Sequence, residues 1–129
     1  YLGESVEGKD VFVADDIISS GESMLDVAKE LKKRKAKRVF VAATFGLFTN
    51  GLKQFDEYYE QGLISKVLTT NVIYQTPDLL SRPYYINVDL SKYIALMIDK
   101  LNYDHSISEL LDPNAKIQNS LAYYRKYHK

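Results

Sequence analysis

Apolar residues in this chain come in short unbroken runs, and the stretches between them carry a helical period. The first run is Val11 to Ala14, the pattern of a β-strand covered on both faces. After a polar turn, Met24, Val27, Ala28 and Leu31 fall at i, i+3, i+4 and i+7, one stripe of an amphipathic helix. That helix ends on Lys32, Lys33, Arg34 and Lys35, positive charge where the helix dipole is negative. A second apolar run, Val39 to Ala43, follows at once. Strand, helix and strand at this spacing predict a βαβ unit with two parallel strands and a right-handed crossover.

The alternation continues. Thr49 or Asn50 can cap a helix whose inner face holds Leu52, Phe55 and Tyr59, and Gly62 can end it. Ser65 to Asn71 reads as a third strand, and Tyr74 to Pro83 as a loop with one helical turn. Tyr84 to Val88 suits a short strand, after which Asp89 caps a helix with Leu90, Ile94, Met97, Ile98 and Leu101 facing inward. From Asp112 the chain is polar and aromatic with little core-forming pattern. No internal repeat or low-complexity segment interrupts this order. The pattern predicts an α/β fold with a parallel, Rossmann-like sheet, residues 1–111 forming the domain and 112–129 a tail.

Composition narrows the function classes. At 129 residues there is one domain's worth of chain. Lys plus Arg equals Asp plus Glu at 17 each, so net charge gives no reason to expect nucleic acid or an anionic membrane as partner. No apolar run approaches the roughly 20 residues of a membrane span. With zero cysteines there is neither a disulfide framework nor a thiolate metal site, which favours a reducing, cytoplasmic setting. The 11 tyrosines suit core and interface better than base stacking, and His105 and His128 lack metal-ligand spacing. The basic run Lys32 to Arg38 is expected to be a solvated helix end. The first residues, YLGESVEGKD, carry no initiator Met, which suggests a segment of a larger protein.

The chemistry concentrates between Val11 and Ser23. Ligands of open parallel sheets bind beyond the carboxyl ends of the strands, where Asp15 and Asp16 fall. Ser19, Ser20, Gly21, Glu22 and Ser23 then turn into the helix. A helix N-terminus offers free N–H groups and partial positive charge, an anion site; Gly21 permits close approach and the serines add hydroxyl donors. Carboxylates accept hydrogen bonds, so Asp15 and Asp16 suit vicinal hydroxyls or a hydrated metal. A phosphorylated sugar has both ends. Two plainer readings stand beside this one: Ser19 or Ser20 only caps the helix, or the acidic pair is a phosphoacceptor or Mg²⁺ site of another kind.

The segment VFVADDIISSGES resembles the phosphoribosyl pyrophosphate motif of the type I phosphoribosyltransferase fold. AATFGLFTNGL (42–52), KVLTTNVIYQ (66–75) and VDLSKYIALMID with SISELL (88–111) are similar in order and spacing to the C-terminal part of ribose-phosphate pyrophosphokinases. The resemblance runs from about Gly3 to Leu111. It implies a partial domain of a three-layer parallel α/β fold, and transfer of diphosphate from ATP to ribose 5-phosphate with Mg²⁺. By the match, Asp15 and Asp16 hold the ribose hydroxyls and contact Mg²⁺ through water, while Ser19, Ser20, Gly21, Glu22 and Ser23 cradle the 5-phosphate. Two departures stand out: Phe45 replaces a frequent histidine, and Glu22 with Ser23 replaces a frequent Gly-Thr pair.

The family also uses an N-terminal domain for ATP and a mobile Lys/Arg loop at the transferring phosphoryl group. Neither lies among these residues, so the chain is expected to carry half a substrate site, no catalytic residue, and no turnover by itself. It is also expected to form a homo-oligomer. The alternatives are a phosphoribosyltransferase, which the VDLSKYIALMID ending disfavours, and a non-catalytic regulatory homologue of the synthetase.

Overall fold

The computed structural model describes residues 3–127, in two compact units, Tyr1–Leu90 and Ser91–Lys129. In the first, four parallel strands lie in the order β1-β2-β3-β4: β1 (Asp10–Ile18), β2 (Arg38–Gly46), β3 (Lys66–Thr70) and β4 (Tyr85–Val88). Between them run α1 (Glu22–Lys33), α2 (Lys53–Glu60) and the single turn α3 (Pro77–Leu80). The three expected strands, over 11–14, 39–43 and 65–71, thus fall on β1, β2 and β3, adjacent and parallel. Opposite charges meet where β1 and β2 begin: Arg38 pairs with Asp10 in register, and its Nε donates to Oδ1 at 2.9 Å. That hydrogen bond holds the Asp10 carboxyl below the usual range.

The core lies on one face of the sheet. Val39, Val41, Ala43, Val67 and Tyr85 cluster with Met24, Leu25, Ala28 and Leu31 of α1 and with Phe55 of α2. The α1 stripe is rotated from the expected one. Leu25 is buried and Val27 is 45% exposed, because the side of α1 that meets the core runs through Leu25, Ala28 and Leu31. The continuous run at Val11–Ala14 predicts cover on both faces. In this unit Val11 and Val13 pack against the core, whereas Phe12, on the opposite face, is 60% exposed. Ile86 and Val88 are exposed as well.

Two further expectations change. No side chain caps α2, since its first flanking residue is Leu52 rather than Thr49 or Asn50. Gly62 does end it, at φ +69°, with its N–H on the Tyr59 carbonyl. Behind α2, a polar knot fixes the approach to β4. Arg82 Nε and Nη2 fork onto Asp56 at 2.9 and 3.1 Å, Nη1 reaches Asp78 at 2.8 Å, and the Tyr84 hydroxyl donates to Asp56 Oδ1 at 2.7 Å. Among the described residues no buried side-chain nitrogen or oxygen lacks a partner.

The second unit holds α4 (Ser91–Asn102), the turn α5 (Ser108–Leu111) and α6 (Asn114–Tyr127). The expected inward stripe of α4 is not buried: Ile94, Ile98 and Leu101 are exposed, and no described residue of α4 or α6 is buried. Residues 114–127 are helical although their sequence has little apolar period. No helix among the described residues is long and apolar enough to cross a membrane.

Burial and the neighbouring Asp56 carboxylate raise the Tyr84 phenol well above the tyrosine range, and burial raises Tyr85 in the same direction. Both groups are neutral in the fold and ionise near pH 10 in the unfolded chain. Their contribution to stability is therefore full below about pH 10 and is lost as pH rises further. An alkaline phenolate titration followed by absorbance should show fewer than all 11 tyrosines ionising until the protein unfolds. Smooth ionisation of the full set in the folded protein would contradict this packing.

Candidate functional site

β1 does not stop at Ala14 but pairs with β2 as far as Ile18. Asp15 and Asp16 are exposed residues within its last half, because the backbone ladder continues whatever the side chains do on an open side. Asp15 Oδ1 accepts the Asp16 N–H at 2.8 Å, which turns one carboxylate oxygen back onto its own strand. The other oxygens remain available. Among the described residues, no three of His, Cys, Asp and Glu gather into a metal cluster. Mg²⁺ keeps several waters and takes one or two carboxylates plus substrate phosphates. The carboxylates of Asp15 and Asp16 could supply one or two ligands to a hydrated Mg²⁺.

The turn from β1 into α1 brings Ser19 to Ser23 together at the carboxyl end of the sheet. Gly21 flanks α1 at φ +89° and contributes no side-chain cap. Ser20 Oγ reaches the Glu22 N–H at 3.4 Å, so Ser20 supplies the weak cap and Ser19 supplies none. Ser19 and Ser23 are exposed, Ser20 is half-buried and Gly21 is buried. The N-terminus of a twelve-residue helix thus opens to solvent beside two serine hydroxyls.

Gly21 is required for a reason the sequence does not reveal. A Cβ there would lie 2.3 Å from Phe55 Cζ and 2.6 Å from Cε2. Phe55 is fully buried, and Phe48 meets its ring edge-on at 5.2 Å between centroids. The loop backbone lies directly on a core ring, so a Gly21→Val substitution would break packing as well as any ligand contact.

The β2–α2 loop is stitched to the same place. Leu47 N–H donates to the Ile18 carbonyl at 2.8 Å, and Thr49 N–H to the Ser19 carbonyl at 2.9 Å. Asn50 Nδ2 donates to Glu22 Oε1 at 3.4 Å. Glu22 is therefore engaged by a neighbour and stands in the first turn of α1, where a carboxylate suits the dipole. Phe45 is 41% exposed, opposite Ile17 on β1. The basic run is internally paired: Lys32 Nζ donates to the Ala36 and Lys37 carbonyls, Lys33 and Arg34 pair with Glu30, and Lys35 with Glu7.

Sequence reasoning missed a second polar set at the end of β3. Thr69 Oγ1 and the Tyr85 hydroxyl lie 2.7 Å apart, and Gln75 Nε2 donates to that hydroxyl and, at 3.1 Å, to the Thr70 carbonyl. Thr70 Oγ1 donates to the Thr44 carbonyl at 2.6 Å, tying β3 back to β2. Asn71 spans to Asp89 and to the Leu90 N–H. The only local signal is the run of polar residues just past an apolar strand.

The all-parallel sheet, with an acidic pair in the last half of its first strand and a small-residue turn after it, has an α/β fold of the phosphoribosyltransferase type. The crystal structure of phosphoribosylpyrophosphate synthetase from Mycobacterium smegmatis has this fold, with a TM-score of 0.68 and 22% identity, over 79% of this chain and 33% of that one. The chain belongs to the family of the phosphoribosyl synthetase-associated domain, which it matches over residues 2–112. Ribose-phosphate pyrophosphokinase of Vibrio parahaemolyticus is 28% identical over 83% of this chain and 33% of its own length. The Mycoplasma genitalium enzyme of that name is 43% identical over 57% of this chain and 22% of its own. Human phosphoribosyl pyrophosphate synthase-associated protein 2 is 32% identical over 81% of this chain and 28% of its own. The chain spans about a third or less of these relatives.

The Gly21–Phe55 contact makes its own prediction. Gly21→Ala should destabilise the fold by about 1–3 kcal/mol, from overpacking and from a side chain at φ +89°. In a Phe55→Leu background the added cost should shrink, because the smaller side chain vacates the space. Denaturant melts of the two single variants and the double variant measure that coupling. Strictly additive costs would mean that the ring and the glycine do not press on each other.

Proposed function

We propose that this chain is the ribose 5-phosphate-binding part of a ribose-phosphate pyrophosphokinase, with Ser19–Ser23 receiving the 5-phosphate and Asp15 and Asp16 the ribose hydroxyls. The observation that carries the reading is the N-terminus of α1: Gly21 offers no capping side chain, Ser20 Oγ takes only the Glu22 N–H at 3.4 Å, and the turn carries exposed Ser19 and Ser23. Anions bind such a terminus, and carboxylates repel the anion while accepting from hydroxyls. A hydrated Mg²⁺ would be held by Asp15 and Asp16, where it would neutralise phosphate charge. In the longer protein, ATP would donate the diphosphate and its site would be completed by residues outside this chain. A cytoplasmic setting is consistent with such a reaction in nucleotide supply.

Two variants separate the phosphate from the sugar. Asp at an exposed first-turn position supports a helix by about 0.3–1 kcal/mol but repels a bound anion. Ser23→Asp should therefore keep or raise the melting temperature while abolishing binding of both ribose 5-phosphate and inorganic phosphate in calorimetry. Asp16→Asn should weaken ribose 5-phosphate and spare inorganic phosphate. Unchanged sugar-phosphate binding by Ser23→Asp would reduce the loop to a helix start. The chain alone should form no phosphoribosyl pyrophosphate from ATP and ribose 5-phosphate; turnover by the purified protein would misplace the catalytic groups.

A regulatory, non-catalytic role is the second reading, favoured by the similarity to the human associated protein and by Phe45 and Glu22. Either role accommodates a homo-oligomer. Phe12, Ile86 and Val88 expose apolar surface on the open face of the sheet, and burying it against a second copy is favourable. Sedimentation at high concentration should give a dimer or larger; a monomer throughout would count against assembly.

A further inference from the structure

A cleft separates the β2–α2 loop from the connection between β3 and α3. Its walls are Leu47 and Phe48 on one side and Tyr74, Thr76, Asp78 and Leu79 on the other. Its volume is about 210 Å³, below the roughly 300–1,000 Å³ of pockets for drug-sized molecules, so it has room for one ring system and not for a whole nucleotide.

Both walls are pinned. Phe48 is held at φ +49°, a left-handed conformation uncommon for an aromatic residue. Its N–H and that of Leu47 point to the Ile18 carbonyl, and its ring abuts Phe55. Facing it, Tyr74 is 81% exposed although its neighbours are fixed. Gln75 is anchored on Thr70 and Tyr85, and Thr76 caps α3 by accepting the Leu79 N–H at 3.2 Å. A large aromatic side chain held out by an ordered backbone forgoes burial without any folding benefit in this unit. It does offer a flat face at the rim of a cleft with aromatic and aliphatic walls.

The polar groups narrow the occupant. The Thr76 hydroxyl accepts from the backbone and keeps its own proton to donate, and the Asp78 carboxylate retains acceptor capacity beyond its pairing with Arg82. One donor and one acceptor beside aromatic walls match the edge of a flat nitrogen heterocycle, which carries ring nitrogens and N–H groups in its plane. No cationic side chain lines the cleft among the described residues, and the Asp78 carboxylate in its wall repels a phosphate.

We propose that this cleft binds the ring of an uncharged nitrogen heterocycle of the nucleobase kind, stacked against Tyr74. The proposal stands apart from the phosphate reading of Ser19–Ser23, and the test uses a ligand without phosphate. In solution NMR of the labelled protein, adenosine should shift resonances of Leu47, Phe48, Tyr74 and Thr76, while ribose alone should not. Saturating inorganic phosphate should leave those shifts in place. Tyr74→Ala should keep the melting temperature, because the side chain is exposed, and weaken adenosine on the order of ten- to hundredfold, the range for loss of a stacking ring. Tyr74→Phe should bind as the parent does. Absence of shifts at millimolar adenosine would overturn the proposal, as would equal shifts with ribose, displacement by phosphate, or undiminished binding by Tyr74→Ala.

Discussion

The Phe55 ring is the constraint on which the functional end of this molecule depends. It comes from α2, yet it supports the turn between β1 and α1, because Gly21 rests on its edge with no room for a Cβ. It also receives the Phe48 ring, which fixes the β2–α2 loop. Two loops from successive βα units are thereby referenced to one fully buried side chain. Packed interiors tolerate volume changes poorly, so a loop built on a core ring inherits the rigidity of the core. The backbone groups at the start of α1 consequently have a defined position before any ligand arrives.

The sheet was legible in the sequence because its signal is local. Val11–Ala14, Val39–Ala43 and Val67–Thr70 announce strands by continuous apolar character, and the crossovers between them leave parallel pairing as the short solution. Helix rotation was less legible. Val27 and Leu25 differ by half a turn, both are apolar, and only contact with the core decides which is buried. The covered-on-both-faces reading of β1 failed in this unit for a related reason: an apolar run reports that burial is favourable, not that this stretch of chain supplies the cover.

The candidate site was legible in composition and opaque in contact. Asp15, Asp16 and Ser19–Ser23 were identifiable because acidic, hydroxylic and glycine residues are rare in succession just past an apolar strand. The role of Gly21 was only half readable. A glycine in a turn signals freedom of backbone angle, and φ +89° bears that out. The ring beneath it lies 34 positions along the chain, beyond any local pattern. Arg82, Asp56 and Tyr84 escaped notice in the same way: each looks like ordinary surface chemistry until the fold joins them into one hydrogen-bonded knot.

The strand order 1-2-3-4 bears on how the molecule is made. Among the four described strands, each later one pairs with the strand synthesised just before it, and none is inserted between neighbours already paired. Chain synthesis proceeds from the N-terminus at about 5–20 residues per second, slow compared with helix formation and loop closure. These four strands can therefore join one after another as the chain leaves the ribosome. The Asp10–Arg38 pair can form as soon as β2 has emerged, before β3 is made.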